Sequence, residues 1–285
     1  MKKSIVLLGI TLALILFSCK NVETKKATPT NKIIKKAPVR KAPKAVSYTL
    51  ENTKEWLKTN KSAEELEIAL AVNRTDKQFF TKMDSVIIPT DVSGDISFYL
   101  PFPVEVPFLT EVHKILFFSY PTQTFAAYEN GILIYTGPTN MGKKKYQTPT
   151  GLFFCNWKAE ETISTVDDEW KLLWNFNIAN KGGIGFHQYD LPGYPASHSC
   201  LRLQEKDAKY LYEWADQWVL ADNENVKFKG TPVIVFGSYP FGRPKPWSQL
   251  VKNPKSLDIS ESEMEKVTRP FLSTILKEQE KKKKS

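Results

Sequence analysis

The chain has 285 residues, 41% hydrophobic and 12% aromatic, enough to bury a core, and its 25% charged residues exclude a solvated, disordered polymer. The net charge of +9 would suit a polyanion binder, but its placement speaks against nucleic acid as a partner: Lys2 and Lys3, the nine Lys and Arg of 20–44 and the five Lys from Lys277 carry it. The stretch between these ends is mildly acidic, and the length fits one catalytic domain with a small companion.

The first element is an address. Lys2 and Lys3 precede the apolar run Ile5 to Phe17, a charged segment followed by a hydrophobic one too short to span a bilayer comfortably. The run ends in Leu16-Phe17-Ser18-Cys19, which resembles the bacterial lipoprotein cleavage box. The resemblance implies a signal peptide over 1–18, lipidation of Cys19 and attachment to a membrane of the cell envelope, facing the periplasm. With Lys20 rather than Asp after the cysteine, the related sorting rule points to the outer membrane. Residues 19–46 hold Pro29, Pro38 and Pro43 among Lys, Thr and Ala without apolar periodicity, which predicts a flexible, extended tether.

Residues 47–100 form the next expected unit, a small α/β subdomain. Glu64 to Val72 has helical spacing with Leu66, Ala69 and Leu70 on one face, Asn73 and Arg74 break it, and Val86 to Pro89 is a short strand. The order from Tyr48 to Pro89 distantly resembles a LysM glycan-binding module, without the Gly-Asp pair of that family's first turn. A packing subdomain with no glycan role is the alternative.

From His113 the pattern turns to strands. Lys114 to Tyr120, Thr124 to Tyr128 and Ile132 to Thr136 alternate with turns, and Asn130-Gly131 between apolar runs predicts a hairpin. Leu152 to Phe154 follows Thr148-Pro149-Thr150-Gly151, and Val233 to Phe236 follows Gly230-Thr231-Pro232. Glu205 to Val219 predicts an amphipathic helix with Ala208, Leu211, Tyr212, Ala215 and Trp218 inward. In the extension 241–285, Ser260 with Glu263 predicts a capped helix that Pro270 interrupts. The fold class expected over 110–240 is mainly β (α+β), a sandwich with one packed helix.

The chain has three histidines and three cysteines. His187, His198 and Cys200 fall within one stretch rich in Gly, Pro and Tyr, the composition of a loop where rigid scaffolds present reactive groups. A thiol that accepts an acyl group needs a base, donors for the developing oxyanion and exposure of its sulfur. His187 can supply the first, and backbone N–H groups near Ser199 and Cys200 the second. Three other readings stay open on residue types alone: a buried structural thiol, a zinc site of His187, His198 and Cys200, and a Cys155–Cys200 disulfide.

Ser197-His198-Ser199-Cys200-Leu201-Arg202 resembles the Ser-His-Gly-Cys-apolar-Arg signature of the L,D-transpeptidases (the YkuD domain), with His187 as its preceding histidine. The resemblance extends from about residue 112 to 237. It implies a peptidoglycan acyltransferase that needs no metal or organic cofactor. Cys200 would be the nucleophile and His187 its base, in a thiolate–imidazolium pair. Gln188 would orient the ring through its carbonyl. The amides of His198, Ser199 and Cys200 would form the oxyanion hole, and Arg202 would meet a stem-peptide carboxylate or hold the loop. The partners implied are peptidoglycan stem peptides, with a stem amine, water or an envelope protein as acyl acceptor; these give a crosslink, trimming or protein anchoring. A non-catalytic peptidoglycan-binding lipoprotein is the rival of another class. The sequence departs from the pattern in two ways: Ser199 replaces the usual glycine, and the gap from His187 to Cys200 is short.

Overall fold

The computed structural model describes residues 38–59, 61–164 and 170–284. The segment 1–18, Cys19 and the tether through residue 37 lie outside the described residues. The end of the expected tether is not loose. The backbone N–H groups of Lys41 and Lys44 donate to Asp95 and Asp91 at 2.6 and 2.7 Å, and Asp95 N–H returns a bond to the Lys41 carbonyl. Short-range polarity without apolar periodicity concealed these pairings to a distant loop.

The first folded segments are β1 (Tyr48–Asn52), α1 (Thr53–Lys58), α2 (Ala63–Val72), α3 (Lys77–Phe80) and β2 (Ser85–Pro89). β1 and β2 pair antiparallel, with Tyr48 opposite Pro89. Ser62 and Glu65 close a capping box that starts α2. The helix buries Ile68, Ala69, Ala71 and Val72, so its inward face is rotated about a third of a turn from the expected one, with Ala69 common to both, and Leu66 and Leu70 are only half-buried. Asn73 ends it. Its amide donates to the Ala69 and Ile87 carbonyls, and its Oδ1 accepts from Ile87 N–H, which ties α2 to β2. Arg74 then turns with φ +57°.

The main body is mainly β, as expected. Five strands, β3 (Ile115–Ser119), β4 (Thr124–Glu129), β5 (Ile132–Pro138), β6 (Gly151–Phe154) and a late strand described below, make one sheet. Asn130 and Gly131 take φ of +49° and +81°, the doubly left-handed turn the Asn-Gly pair predicts between β4 and β5. Four strands that the sequence reading passed over make the second sheet: β7 (Lys158–Ile163), β8 (Lys171–Ala179), β9 (Ile184–Gln188) and β10 (Leu201–Leu203), in order β10-β9-β8-β7. The packed helix α4 spans Glu205–Trp214, shorter than predicted. It stops because Asp216 leaves the helix to exchange bonds with Thr231, and Trp218 N–H pairs with Asn156. The short pair β11 (Val219–Leu220) and β12 (Val226–Phe228) follows, then β13 (Pro232–Phe236), which completes the first sheet as β5-β4-β3-β13-β6.

The two sheets enclose one core by strand alternation. Leu116, Phe118, Phe125, Val233 and Val235 face Phe176, Ile178, Phe186, Leu201 and Leu203, with Ala208 and Leu211 of α4 sealing the side. The intervening residues Phe117, Tyr128, Ile234 and Phe236 point the other way, onto a second core with Met264 and Ile275. Those two come from α5 (Glu261–Thr268) and α6 (Leu272–Lys283). Ser260 caps α5 by accepting from Glu263 N–H, and the break predicted at Pro270 is a short 3-10 turn, Arg269–Phe271. Among the described residues no helix is long and apolar enough to cross a membrane.

Candidate active site

β9 and β10 run parallel as neighbours, with Phe186 opposite Leu201, His187 opposite Arg202 and Leu203 opposite Gln188. Opposed residues project to the same sheet face, so His187 and Arg202 emerge together, while Phe186 and Leu201 enter the core. Cys200 sits one residue before the β10 ladder. His187, His198, Cys200 and Arg202 therefore line one cleft, walled further by Trp170 and Tyr189. The cleft is narrow, about 20 Å³, room for a single water molecule.

His187 is almost fully buried. Its Nδ1 bonds the Gln188 carbonyl at 2.9 Å, which assigns the proton to Nδ1 and leaves Nε2 with a free lone pair. Gln188 acts here through its backbone. Burial pushes the imidazole down to about 4, and the Arg202 charge adds to that shift, while the Gln188 bond opposes it. Burial likewise pushes the Cys200 thiol up, partly offset by a bond from Gly185 N–H and by Arg202. Both shifts favour the neutral thiol and imidazole over the ion pair the resemblance implies. Among the described residues the thiol's own donor contact is the long one to the Gly183 carbonyl, 3.8 Å, and none joins it to the ring.

The loop that carries Cys200 is held from the opposite side by residues 139–148. Arg202 exchanges backbone bonds with Asn140 at 2.8 and 3.0 Å, Ser197 N–H donates to Met141, and Lys143 N–H donates to Ser197. Asn140 also uses its side chain, donating to the Tyr194 carbonyl and accepting from Ala196 N–H. Thr148 Oγ1 accepts from Gly142 N–H and donates to the Ser199 carbonyl, both at 2.9 Å. Gln123 Oε1 accepts from Met141 N–H. The upstream residues Gln123 and Thr148 thus brace the loop that carries Cys200.

Ser199 has φ +86°, the left-handed region where the family's glycine is at ease. Its hydroxyl reaches the Tyr146 and Gln147 carbonyls at 3.3 and 3.2 Å. Ser197 Oγ donates to the Cys200 carbonyl at 2.6 Å. Among the described residues the backbone N–H groups of His198, Ser199 and Cys200 have no protein acceptor, as donors awaiting an oxyanion require. The His198 ring lies 4.8 Å from Tyr146 and 5.4 Å from Trp170, and burial lowers its pKa. The Arg202 guanidinium sits 4.4 Å over the Tyr189 ring, with no carboxylate partner among the described residues.

Cys155 and Cys200 are both free thiols, and Cys155 lies wholly in the core. The described residues contain no cluster of three or more His, Cys, Asp or Glu that could hold a metal ion. Sequence reasoning missed Asn140, Trp170 and Tyr189. Tyr189 adjoins the histidine motif and could have been flagged; Asn140 and Trp170 lie far off in sequence with no local sign of a role.

No curated protein sequence matches the chain. Residues 113–235 match the family model of the L,D-transpeptidase catalytic domain (YkuD). Among solved structures, an L,D-transpeptidase from Stackebrandtia nassauensis is 27% identical over 45% of this chain and 57% of its own, with a TM-score of 0.38. An L,D-transpeptidase from Mycobacterium smegmatis is 20% identical over 44% and 59%, TM-score 0.35. One from Mycobacterium tuberculosis H37Rv is 21% identical over 44% and 58%, TM-score 0.35. The chain spans less than two thirds of the length of each of these proteins.

Proposed function

We propose that the protein is a cysteine acyltransferase acting on peptidoglycan stem peptides in the cell envelope, anchored through a lipid on Cys19. The observation that carries the reading is the His187 ring, fixed by the Gln188 carbonyl with Nε2 unprotonated in the cleft that Cys200 also lines. Such a ring is a base prepared for a thiol proton.

Substrate enters with the carbonyl between the third and fourth stem residues at Cys200. Sulfur attacks as its proton passes to His187 Nε2, because neither group is charged beforehand. The amides of His198, Ser199 and Cys200 receive the oxyanion. The carbon–nitrogen bond breaks, His187 returns the proton to the departing amine of the fourth residue, and a thioester remains on Cys200. An amine of a second stem then attacks the thioester and loses its proton to His187, and the sulfur leaves with that proton restored. Arg202, which has no carboxylate partner among the described residues, suits the stem's own carboxylate.

Incubating the protein with tetrapeptide muropeptides and weighing the products by mass spectrometry tests the reading. The expected product is a crosslinked dimer, formed by the wild type and absent with Cys200→Ala. A tripeptide without dimer would assign water as the acceptor. A Cys200→Ala protein that still crosslinks would overturn the proposal.

A further inference from the structure

Outside the catalytic cleft, one charged group in the core lacks a counter-charge. Arg74 is 1% exposed, and no carboxylate pairs with it among the described residues. Its Nε donates to the Thr122 carbonyl at 2.7 Å and its Nη1 to the Ala71 and Val72 carbonyls at 2.5 and 3.0 Å. The ring of Trp247 lies 5.7 Å from the guanidinium carbon. Of its nitrogens, Nη2 has no partner among the described residues. A buried, hydrogen-bonding cation left partly unsatisfied is costly, and an anion beside it relieves that cost.

Beside Arg74 lies a cavity of about 230 Å³. An engineered apolar cavity of about 150 Å³ already takes benzene. Tyr48 and Leu250 line the buried part, Leu257 is half-buried, and Lys255 and Asp258 stand at the exposed rim. Burial depresses the Arg74 cation to about 9, and raises the Asp258 carboxyl, with Lys255 opposing. Among the described residues neither Lys255 nor Asp258 forms an ion pair, so the cavity presents a deep cation, an apolar wall and a carboxylate at its mouth.

We propose that this cavity binds a small free amino acid, its carboxylate on Arg74 Nη2, its side chain against Leu250 and Leu257, and its ammonium at Asp258. No wall residue belongs to the catalytic cleft, so the proposal stands apart from the acyl-transfer reading.

Titration calorimetry on the full chain tests it with D-alanine, L-alanine and propionate as probes. At least one alanine enantiomer should bind with one site per chain, and propionate, lacking the ammonium, about tenfold more weakly or worse. Asp258→Asn should weaken alanine by about tenfold while leaving propionate unchanged. Arg74→Met, which removes the cation, and Leu257→Trp, which puts a larger side chain into the cavity, should each abolish both, and Leu257→Trp covers the case in which Arg74→Met fails to fold. Cys200→Ala should bind alanine as the wild type does. No saturable heat with either enantiomer, or binding that survives both Asp258→Asn and Leu257→Trp, would overturn the proposal; loss on Cys200→Ala alone would assign the alanine to the catalytic cleft and also overturn it.

Discussion

Ser199 holds φ +86° in a residue with a Cβ, and its hydroxyl gives two long bonds to the carbonyls of Tyr146 and Gln147. The left-handed backbone costs a non-glycine residue about 1 kcal/mol, and glycine costs a similar amount in chain entropy on folding. Ser199→Gly should therefore leave stability almost unchanged. Ser199→Ala keeps the strain and removes both bonds, so it should lose about 1 kcal/mol. Ser199→Val, β-branched at positive φ, should lose more. Denaturant unfolding of the three variants checks the order, and an alanine variant as stable as wild type would show that the hydroxyl contributes nothing. A second residue-scale expectation concerns Cys200. With the thiol pushed up by burial, its alkylation by iodoacetamide in the free protein should keep rising past about pH 8.5. A plateau between pH 6 and 7 would instead reveal a preformed thiolate. His187→Ala should lower turnover by about 10²- to 10⁴-fold, the usual share of a general base, while leaving the fold intact.

At the scale of elements, the loop that carries Cys200 is clamped between β9 and residues 139–148. Gly142 has no room for a side chain: a Cβ there would lie 2.1 Å from the Tyr146 carbonyl and 2.6 Å from Thr148 N. Gly142→Ala should push the 146–148 turn off Ser199, lowering stability by roughly 2 kcal/mol and turnover with it. Measuring crosslinking and unfolding on the same variant checks both. The sequence exposed this machinery unevenly. Local signals were legible: the Asn130-Gly131 turn, the Ser260 cap, the Pro270 break and the helical spacing after Ser62 depend on neighbours in the chain. The strands from Lys158 to Gln188 were not, because β7 carries Glu160, Glu161 and Thr162 in a row without alternation, and β8 breaks its own alternation at Trp174, φ +54°. Asn140 escaped for the same reason in a stronger form. Nothing beside it in sequence says that residues 194–202 will arrive opposite it. Within the site, the cysteine and histidine were readable as a motif, whereas the neutrality of their pair depends on burial.

For the whole molecule, two buried groups on different elements set opposing dependences on pH. His187 titrates lower in the fold, at about 4 against about 6.5 unfolded, so the unfolded chain binds the extra proton between those values. Its contribution, about 3 kcal/mol, is present above pH 6.5 and is lost as pH falls toward 4. Asp207, fully buried in α4 and accepting from Tyr135 OH at 2.8 Å, is raised by burial to about 7. Its contribution runs the other way, present in acid and lost as pH rises from about 4 toward 7. Together they should flatten the wild-type curve. Asp207→Asn should expose the His187 slope: the variant should gain roughly 2 kcal/mol at pH 8 and weaken steadily below pH 6.5. Chemical unfolding at pH 4, 6 and 8 reads this out, and a variant parallel to wild type at all three would refute the assignment to Asp207.

The parallel pairing of β9 with β10 has a consequence for how such a protein can vary. His187 stands on a rung of this ladder and Cys200 one residue before its first rung, and the excursion from Tyr189 to Ala196 joins the two rails. Descendants could lengthen, shorten or redecorate that excursion, and so reshape what docks at the cleft, without retuning the distance across which the proton travels. A single-residue slip of the ladder itself would have the reverse effect, turning His187 into the apolar interior and bringing a phenylalanine out in its place.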